Sequence, residues 1–515
     1  MPVGPKATHH ALRLRRLGID THQEAVVYMR ADCDVCRAEG LMAQARVGVS
    51  LGRQSIIATL HHINGDLLRP DEAGLSEVAW LALRAHDGDV ISVQHPPTLD
   101  SLSHVRSKVY GNSLDNAAFA AIMGDVAAGR YDDVHLASFV TACAGANLRR
   151  DEVIGLTKAM IDVGDRIDWG RSPIADKHCI GGLPGNRTSP IVVAIVAASG
   201  VTIPKTSSRA ITSPSGTADT METLAPVDLD EVAMRKVVDR EGGCVVWGGA
   251  VRLSPADDIL IRVERALDLD SEGQLVASVL SKKAAAGATH LVLDVPVGPT
   301  AKARTQQAAE GLGERLLDVA QILGIAAKIL VTDGAQPVGR GIGPALEARD
   351  VLAVLRNDLA APADLRARAL RIAGALLELT ASAKPGTGEA AATAILECGG
   401  AWRKFQAICE AQGGMRVPGR ARHTHGITAA SAGWIKSIDN RLLSRAAKVA
   451  GAPDDKTAGL ELHVRLGEPV QRGQPLFTLH SETRGELAYA LDYVIPRPGI
   501  IQIEPLDIVR GNARP

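Results

Sequence analysis

Aromatic residues are scarce: 5 Trp, 5 Tyr and 4 Phe make up 3% of 515 residues. That shortage excludes rows of stacking platforms for single-stranded bases. An excess of either charge is also missing, since 57 Lys and Arg meet 58 Asp and Glu for a formal net charge of −1. No broad field draws the chain to nucleic acid or to an anionic membrane, so its partners must be read from local sites. Long apolar runs are absent too. IVVAIVAASGV (Ile191 to Val201) is the longest, is broken by Ser199 and Gly200, and is too short to span a bilayer. The start, MPVGPKATHH, lacks the apolar stretch of a secretory signal. A soluble, cytoplasmic protein is expected, without nucleic-acid or membrane partners. The 7 cysteines, Cys33, Cys36, Cys143, Cys179, Cys244, Cys398 and Cys409, are scattered and read as reduced thiols. Cys33 and Cys36 form one CxxC, with no second CxxC or nearby His pair to complete a zinc site. A local turn is its plainer reading; metal or redox chemistry is the other.

A chain this long buries a large core and divides into several domains. Residues 11–66 alternate as strands do, with Asn64-Gly65 as a hairpin-type turn. A short helix near Leu75 to Arg84 and the strand VISVQH complete a β-rich module, residues 1–96. From Leu99 to Asp168 apolar residues recur at helical spacing. Residues 97–172, with 255–287, are expected to form a helical domain. Residues 173–254 and 288–425 read as α/β: IVVAIVAASG as a buried helix, VTIPK, CVVWGG, HLVLDVPVG and AAKILVTDG as strands, and a long helix from Ala303 to Leu323. Residues 426–515 read as a small α+β domain in which Gly467 and Gly473 shape a hairpin resembling those of biotinyl or lipoyl carriers. No lysine stands at its tip, which favours a structural role. The expected fold is multidomain α/β, with a β-rich N-terminal domain, helical and α/β domains flanking an active-site cleft, and a small C-terminal domain.

Two runs concentrate the chemistry. In DKHCIGGLPGNRTSP (Asp176 to Pro190), Gly181, Gly182 and Gly185 permit a backbone that aims several N–H groups at one point. Lys177 adds a full charge, and Thr188 and Ser189 can donate from the start of the apolar helix, whose N-terminus favours an anion. The nucleotide P-loop GxxxxGK[ST] is absent. In TSSRAITSPSGTAD, Ser207, Ser208, Thr212, Ser213, Ser215 and Thr217 place six hydroxyls within eleven residues. Arg209 can fork onto a phosphate or sugar oxygen. A solvated turn with Ser and Thr caps is the alternative for the first run, and an exposed Ser/Thr linker for the second. The spacing across both favours an anion beside a sugar. In LDLDSEGQLVASVLSKK, Asp270 or Ser271 caps a helix whose face carries Asp270, Ser278 and Lys282.

DKHCIGG, SSRAITSPSGTAD, ASVLSKKAAAG and LDVPVGPTAK, in this order and spacing, resemble the thymidine phosphorylase and pyrimidine nucleoside phosphorylase superfamily. The β-rich start makes the chain similar to the long form, which comprises archaeal AMP phosphorylases and bacterial proteins described as thymidine phosphorylases. The resemblance implies a pentosyltransferase: reversible phosphorolysis of the N-glycosidic bond of a nucleoside or nucleoside 5′-monophosphate. Inorganic phosphate is its co-substrate, and no cofactor or metal is implied.

It further implies that Lys177, Ser207 and Thr217 hold phosphate. Cys179 stands where the family usually has serine, and a thiol is a weak donor. The nucleotide is implied at Gly182, along Ser208, Arg209, Ala210, Ile211, Thr212 and Ser213, and at Thr217, Ser278 and Lys302. Asp270 corresponds to the proton donor and Lys282 to a base-contacting lysine. The preceding base-binding arginine of the thymidine enzymes has no counterpart at matching spacing, although Arg262 and Arg265 are near, and the histidine of their second loop is missing. A homodimer through the helical domain is implied as well. Two rivals remain: a magnesium-dependent phosphoribosyltransferase of the anthranilate type, for which Asp219 and Glu222 are available, and a nucleotide sensor without turnover.

Overall fold

The computed structural model describes residues 11–22, 24–210, 213–269 and 271–505. The chain separates into two compact units, Met1–Leu114 with Ala121–Phe139 and Asp115–Ala120 with Val140–Pro515.

In the first unit, β1 (Ala11–Leu14), β2 (Val26–Arg30), β3 (Arg46–Leu51), β4 (Gln54–Ile63), β5 (Glu72–Leu75) and β6 (Val90–Gln94) close into a barrel in the order β1-β5-β2-β4-β3-β6. Closure leaves no unpaired edge. Period-two alternation turns Leu12, Leu14, Ile91 and Val93 inward against Val27, Met29, Val47, Val49 and Leu60. Two short helices, α1 (Asp34–Glu39) and α2 (Glu77–Leu83), pack on this core. Asn64-Gly65 is not the hairpin turn its residues suggest. The hairpin turns at Gly52-Arg53, where Leu51 faces Gln54 and Gly52 adopts φ +59°. The chain leaves β4 after Ile63, and β5 pairs with β1 and β2 instead. The helices α3 (Leu102–Val109), α4 (Asn116–Ala127), α5 (Asp133–Ala142) and α6 (Arg150–Asp162) follow. Of these, α6 lies wholly in the second unit.

The second unit is built on a parallel sheet. Its order of elements is β7 (Ala175–Cys179), α7 (Thr188–Ala198), β8 (Ile203–Ser207), α8 (Thr217–Glu222), α9 (Glu231–Glu241), β9 (Gly243–Trp247), α10 (Pro255–Leu267), α11 (Glu272–Ala285), β10 (His290–Val297), α12 (Gln306–Ile322) and β11 (Ala326–Asp333). β11, β10 and β7 pair in parallel, as do β8 and β9, and a parallel bridge between Ile174 and Thr202 joins the two groups. The resulting order, β11-β10-β7-β8-β9, places β7 at the centre, where the chain's winding reverses. Loops that leave the carboxyl ends of the strands at such a switch point open a crevice for ligands.

Helix α7 is rich in β-branched residues, which are poor helix formers. Burial overrides that preference: Ile191, Val192, Val193, Ile195 and Val196 are fully enclosed. Each contributes about 1.5–3 kcal/mol of transfer free energy. The short strand β12 (Gly341–Ile342) comes next; the shell around α7 comes from α13 (Pro344–Leu355), α14 (Ala363–Leu379), α15 (Gly388–Glu397) and α16 (Gly400–Ala411), whose Val351, Leu376, Leu396 and Phe405 share its core. On the other face, Val276, Val279 and Leu280 of α11 pack with Leu291, Leu293 and Val295 of β10, Leu316 of α12 and Val153 of α6.

The chain ends in β13 (His423–Thr428), β14 (Gly433–Ile438), α17 (Asn440–Val449), β15 (Gly459–Leu462), β16 (Pro469–Val470), β17 (Pro475–Ser481), α18 (Arg484–Val494) and β18 (Ile501–Pro505). They form two sheets, β12-β15-β17-β13 and β16-β14-β18. The strands on either side of Gly473 therefore belong to different sheets, so the carrier-like hairpin expected there does not form. Among the described residues, no helix is long and apolar enough to cross a membrane.

Candidate active site

Alternation along the central strand divides its side chains between two helices. Lys177 points toward α7, and its Nζ donates to Thr188 Oγ1, the first residue of that helix, at 2.7 Å. The lysine is only 2% exposed, and burial pushes its pKa below the ordinary lysine value. The ammonium and the positive end of the α7 dipole thus converge on one point. Cys179, two residues on, accepts from Asn186 Nδ2 at 3.2 Å, and the same amide donates to Asp294 at 3.2 Å. Burial, with Asp294 nearby, pushes the Cys179 pKa up, so the group is a neutral thiol. Between strand and helix, Gly182 and Gly185 take φ values of +87° and +71°. A Cβ at Gly185 would lie 2.2 Å from the Val338 carbonyl oxygen, so only glycine fits. Gly182 faces Lys302, whose backbone nitrogen would be 3.4 Å from such a Cβ. This brings two of the expected nucleotide-binding positions together.

The loop after β8 is braced from within. Asp219 Oδ2 accepts the backbone N–H groups of Ala210 at 2.6 Å and Gly216 at 2.9 Å, tying both ends of the loop together. Ser213 donates to the Ser215 carbonyl, and the Ser215 hydroxyl bonds Thr220. Arg187 joins the two loops: it pairs with the buried Glu347 and donates to the Ser215 carbonyl at 2.9 Å and to Thr217 Oγ1 at 3.1 Å. Thr217 accepts that bond, which leaves its hydroxyl proton for an anion. Ser207 ends β8 half-buried, and Ser208 is exposed; no hydrogen bond within the described residues engages either hydroxyl.

Arg209 is engaged by carboxylates. Its guanidinium forks onto Glu222 at 2.8 and 3.0 Å, reaches Asp228 at 3.2 Å and lies 5.0 Å over the Trp247 ring. Hydrogen bonds to Glu222 raise its pKa, and in return hold the Glu222 carboxyl down at about 2. A planar fork already matched to a carboxylate does not offer itself to phosphate. Lys456, from the C-terminal segment, adds bonds to Asp219 at 3.3 Å and Glu222 at 3.1 Å.

The opposite face of β7 carries Asp176 and His178. Asp176 is enclosed between Lys205 of β8, at 3.3 Å, and Lys283 of α11, at 2.8 Å. Burial works to raise the Asp176 pKa, but the two ammonium groups outweigh it. Burial lowers Lys205 to about 7. His178 is pushed well below the ordinary histidine value, first by burial and then by Lys283, Lys205, Lys177 and Lys282, so its imidazole is neutral. Lys282 pairs with Asp257 at 2.5 Å and Asp258 at 3.6 Å, and these carboxylates keep its pKa above the ordinary value despite burial. Ser278 is half-buried one helical turn before Lys282 on α11.

Asp270, Ile211 and Thr212 lie outside the described residues; Ser271 is the N-cap of α11. His178 was legible inside DKHC but carries no weight until its lysine neighbours are known. Arg187 and Glu347 lie 160 residues apart, and no spacing rule links them. Among the described residues, no cluster of three or more His, Cys, Asp or Glu is placed to hold a metal ion.

Comparison with known proteins places this geometry in a family. Residues 103–164 match the helical bundle domain of a glycosyl transferase family and residues 171–402 its a/b domain. Residues 434–495 match the C-terminal domain of pyrimidine nucleoside phosphorylases. A "Putative thymidine phosphorylase" of Polaromonas sp. (strain JS666) is 61% identical over 96% of this chain and 97% of that protein. "Putative thymidine phosphorylase 1" of Acidovorax sp. (strain JS42) is 62% identical over the same shares. A solved anthranilate phosphoribosyltransferase of Thermus thermophilus is 20% identical, covering 60% of this chain and 98% of that one, with a TM-score of 0.49. The chain is thus a multidomain α/β protein with a helical bundle, an α/β transferase domain and a small C-terminal domain, and it belongs to the thymidine and pyrimidine nucleoside phosphorylase superfamily.

Proposed function

We propose that the chain is a pentosyltransferase that reversibly phosphorolyses the N-glycosidic bond of a nucleoside 5′-monophosphate of the AMP type, or of a nucleoside. The products are the free base and ribose 1,5-bisphosphate or a (deoxy)ribose 1-phosphate. The observation that carries this reading is the buried Lys177 ammonium bonded to the first residue of α7, at the switch point of a parallel sheet. Lys177, the α7 N-terminus and the Thr217 hydroxyl would hold the attacking phosphate and fix its line of approach. The transition state is oxocarbenium-like, with negative charge growing on the departing base. Lys282 and the neutral His178, on the face of β7 away from Lys177, would be the donors to that base. Asp270, the proton donor that the family resemblance implies, is expected to matter by roughly a hundredfold in turnover, read from Asp270→Asn.

Thymidine as substrate is the second reading. It is favoured by the names of the relatives and by the capture of Arg209, which removes one cation from a 5′-phosphate. A panel of AMP, CMP, UMP, thymidine, uridine and adenosine with inorganic phosphate, read by chromatography of released base, separates the two. Release that does not depend on phosphate defeats the phosphorylase reading in favour of hydrolysis, and no release from any substrate defeats it and leaves the sensor. Inorganic phosphate is the only proposed co-substrate, so chelators should leave the rate unchanged. A homodimer in the cytoplasm and a separate N-terminal barrel domain complete the proposal.

A further inference from the structure

The CxxC lies in the barrel and takes no part in phosphorolysis as proposed above. Cys33 is the N-cap of α1 and Cys36 its third residue. The Cys33 Sγ accepts the Cys36 backbone N–H at 3.3 Å. The Cys36 Sγ lies 3.9 Å from His62 Nε2 on β4. The two thiols are 0% and 4% exposed, against Val35 and Leu41. Positions three apart on one helical turn have Cβ atoms about 5–6 Å apart. The N-cap rotamer turns Cys33 Sγ toward Cys36, and a disulfide, whose Cβ atoms stand about 3.5–4.5 Å apart, requires the first turn of α1 to draw in by roughly 1–2 Å.

We propose that Cys33 and Cys36 form a two-electron dithiol/disulfide site whose oxidant is a small uncharged hydroperoxide. Cys33 is the attacking sulfur. The neighbouring Cys36 thiol favours its thiolate, burial opposes ionisation, and the backbone N–H groups of Cys36 and Val35 add to the stabilisation; the net effect is a Cys33 pKa below the ordinary thiol value. Cys36 is raised and stays protonated. In the first step the Cys33 thiolate attacks one peroxide oxygen, the O–O bond breaks, and hydroxide leaves and takes up a proton as water. Cys33 is then a sulfenic acid. In the second step the Cys36 sulfur attacks the Cys33 sulfur, the S–O bond breaks, and the hydroxyl leaves with the Cys36 proton as a second water. Two thiols and one peroxide give one disulfide and two waters. Enclosure at 0% and 4% shuts out bulky disulfides such as oxidised glutathione.

The native chain is treated with hydrogen peroxide, or separately with oxidised glutathione, then alkylated under denaturing conditions and digested with trypsin. Peptide Ala31–Arg37 contains both thiols. With peroxide it is expected to lose two hydrogens, resist alkylation and recover with dithiothreitol, at peroxide levels no higher than those that oxidise the exposed Cys398. Glutathione disulfide is expected to leave it reduced. A doubly alkylated Ala31–Arg37 at peroxide levels that oxidise Cys398, or irreversible sulfinic acid in its place, overturns the proposal. Cys36→Ser is expected to leave Cys33 as a sulfenic acid trapped by dimedone, and Cys33→Ser to leave Cys36 alkylatable. Equal oxidation of both variants overturns the assignment of Cys33. The unmodified chain decides the main question even where a variant does not fold.

Discussion

Lys177 keeps a charge in a place where solvation is poor. It is 2% exposed, and among the described residues its one hydrogen-bond acceptor is a neutral hydroxyl. An ammonium held this way costs stability that a bound phosphate returns, because the anion supplies the missing counter-charge. Replacing it by an apolar chain of similar length should therefore cost function without costing the fold. Lys177→Met is expected to lower kcat/KM for phosphate roughly a hundredfold or more, while its denaturant midpoint equals or exceeds that of the parent. A midpoint well below the parent would show that the lysine serves packing. Lys205 gives the pH signature of the same economy. Its folded pKa is about 7 against an ordinary 10.5, so between these values the unfolded chain binds more protons than the folded one. Stability contributed through this group rises with pH across that window. Urea titrations at pH 6.5 and pH 9 should show the parent gaining on Lys205→Met at the higher pH; parallel curves would refute the depressed lysine.

The loop after β8 is set by its internal braces more than by its hydroxyls. Asp219 Oδ2 holds Ala210 and Gly216 at once, and a Cβ at Gly216 would lie 2.5 Å from the Arg209 carbonyl carbon. Asp219→Ala releases both ends while leaving Lys177 and α7 untouched. KM for the nucleoside or nucleotide should rise roughly tenfold, the size of one lost charge-assisted contact, with KM for phosphate unchanged. Equal rises in both would show one collapsed site. The strands and α7 were legible because burial writes long apolar runs such as HLVLDVPVG and IVVAIVAA. The Gly-rich and hydroxyl-rich loops were legible because turns demand such residues. The carboxylate partners of Arg209 were not legible, because Glu222 and Asp228 lie 13 and 19 residues away and no local rule ranks a carboxylate above a phosphate. Asn64-Gly65 has good turn chemistry, but barrel closure, a long-range requirement, sends the following strand elsewhere.

The C-terminal segment looks detachable, since residues 434–495 match a domain model of their own. Its bonds argue otherwise. Strand β12, which belongs to the loop before α13, pairs with β15, and Ile342 is fully buried in the C-terminal core beside Leu460 and Leu479. Arg465 donates to the carbonyls of Pro337 and Gly339 at 2.9 and 2.8 Å and pairs with Asp364 at 3.2 Å. Asn440 reaches Thr300 at 2.9 Å and the Gly334 carbonyl at 3.1 Å, both in loops at the carboxyl ends of the parallel strands. Lys456 neutralises the two carboxylates that brace the second loop. Ending the chain at Arg420 would expose Ile342, leave β12 without its pairing strand and leave Asp219 and Glu222 short of a cation. Unpaired backbone and stripped apolar surface each cost about 1–3 kcal/mol, a large share of the margin of a folded domain. The shortened chain is expected to bind a hydrophobic dye, unfold well below the parent temperature and lose phosphorolysis. A shortened chain with parental melting and turnover would show that the segment is a passenger, and that the second loop holds its shape through Asp219 alone.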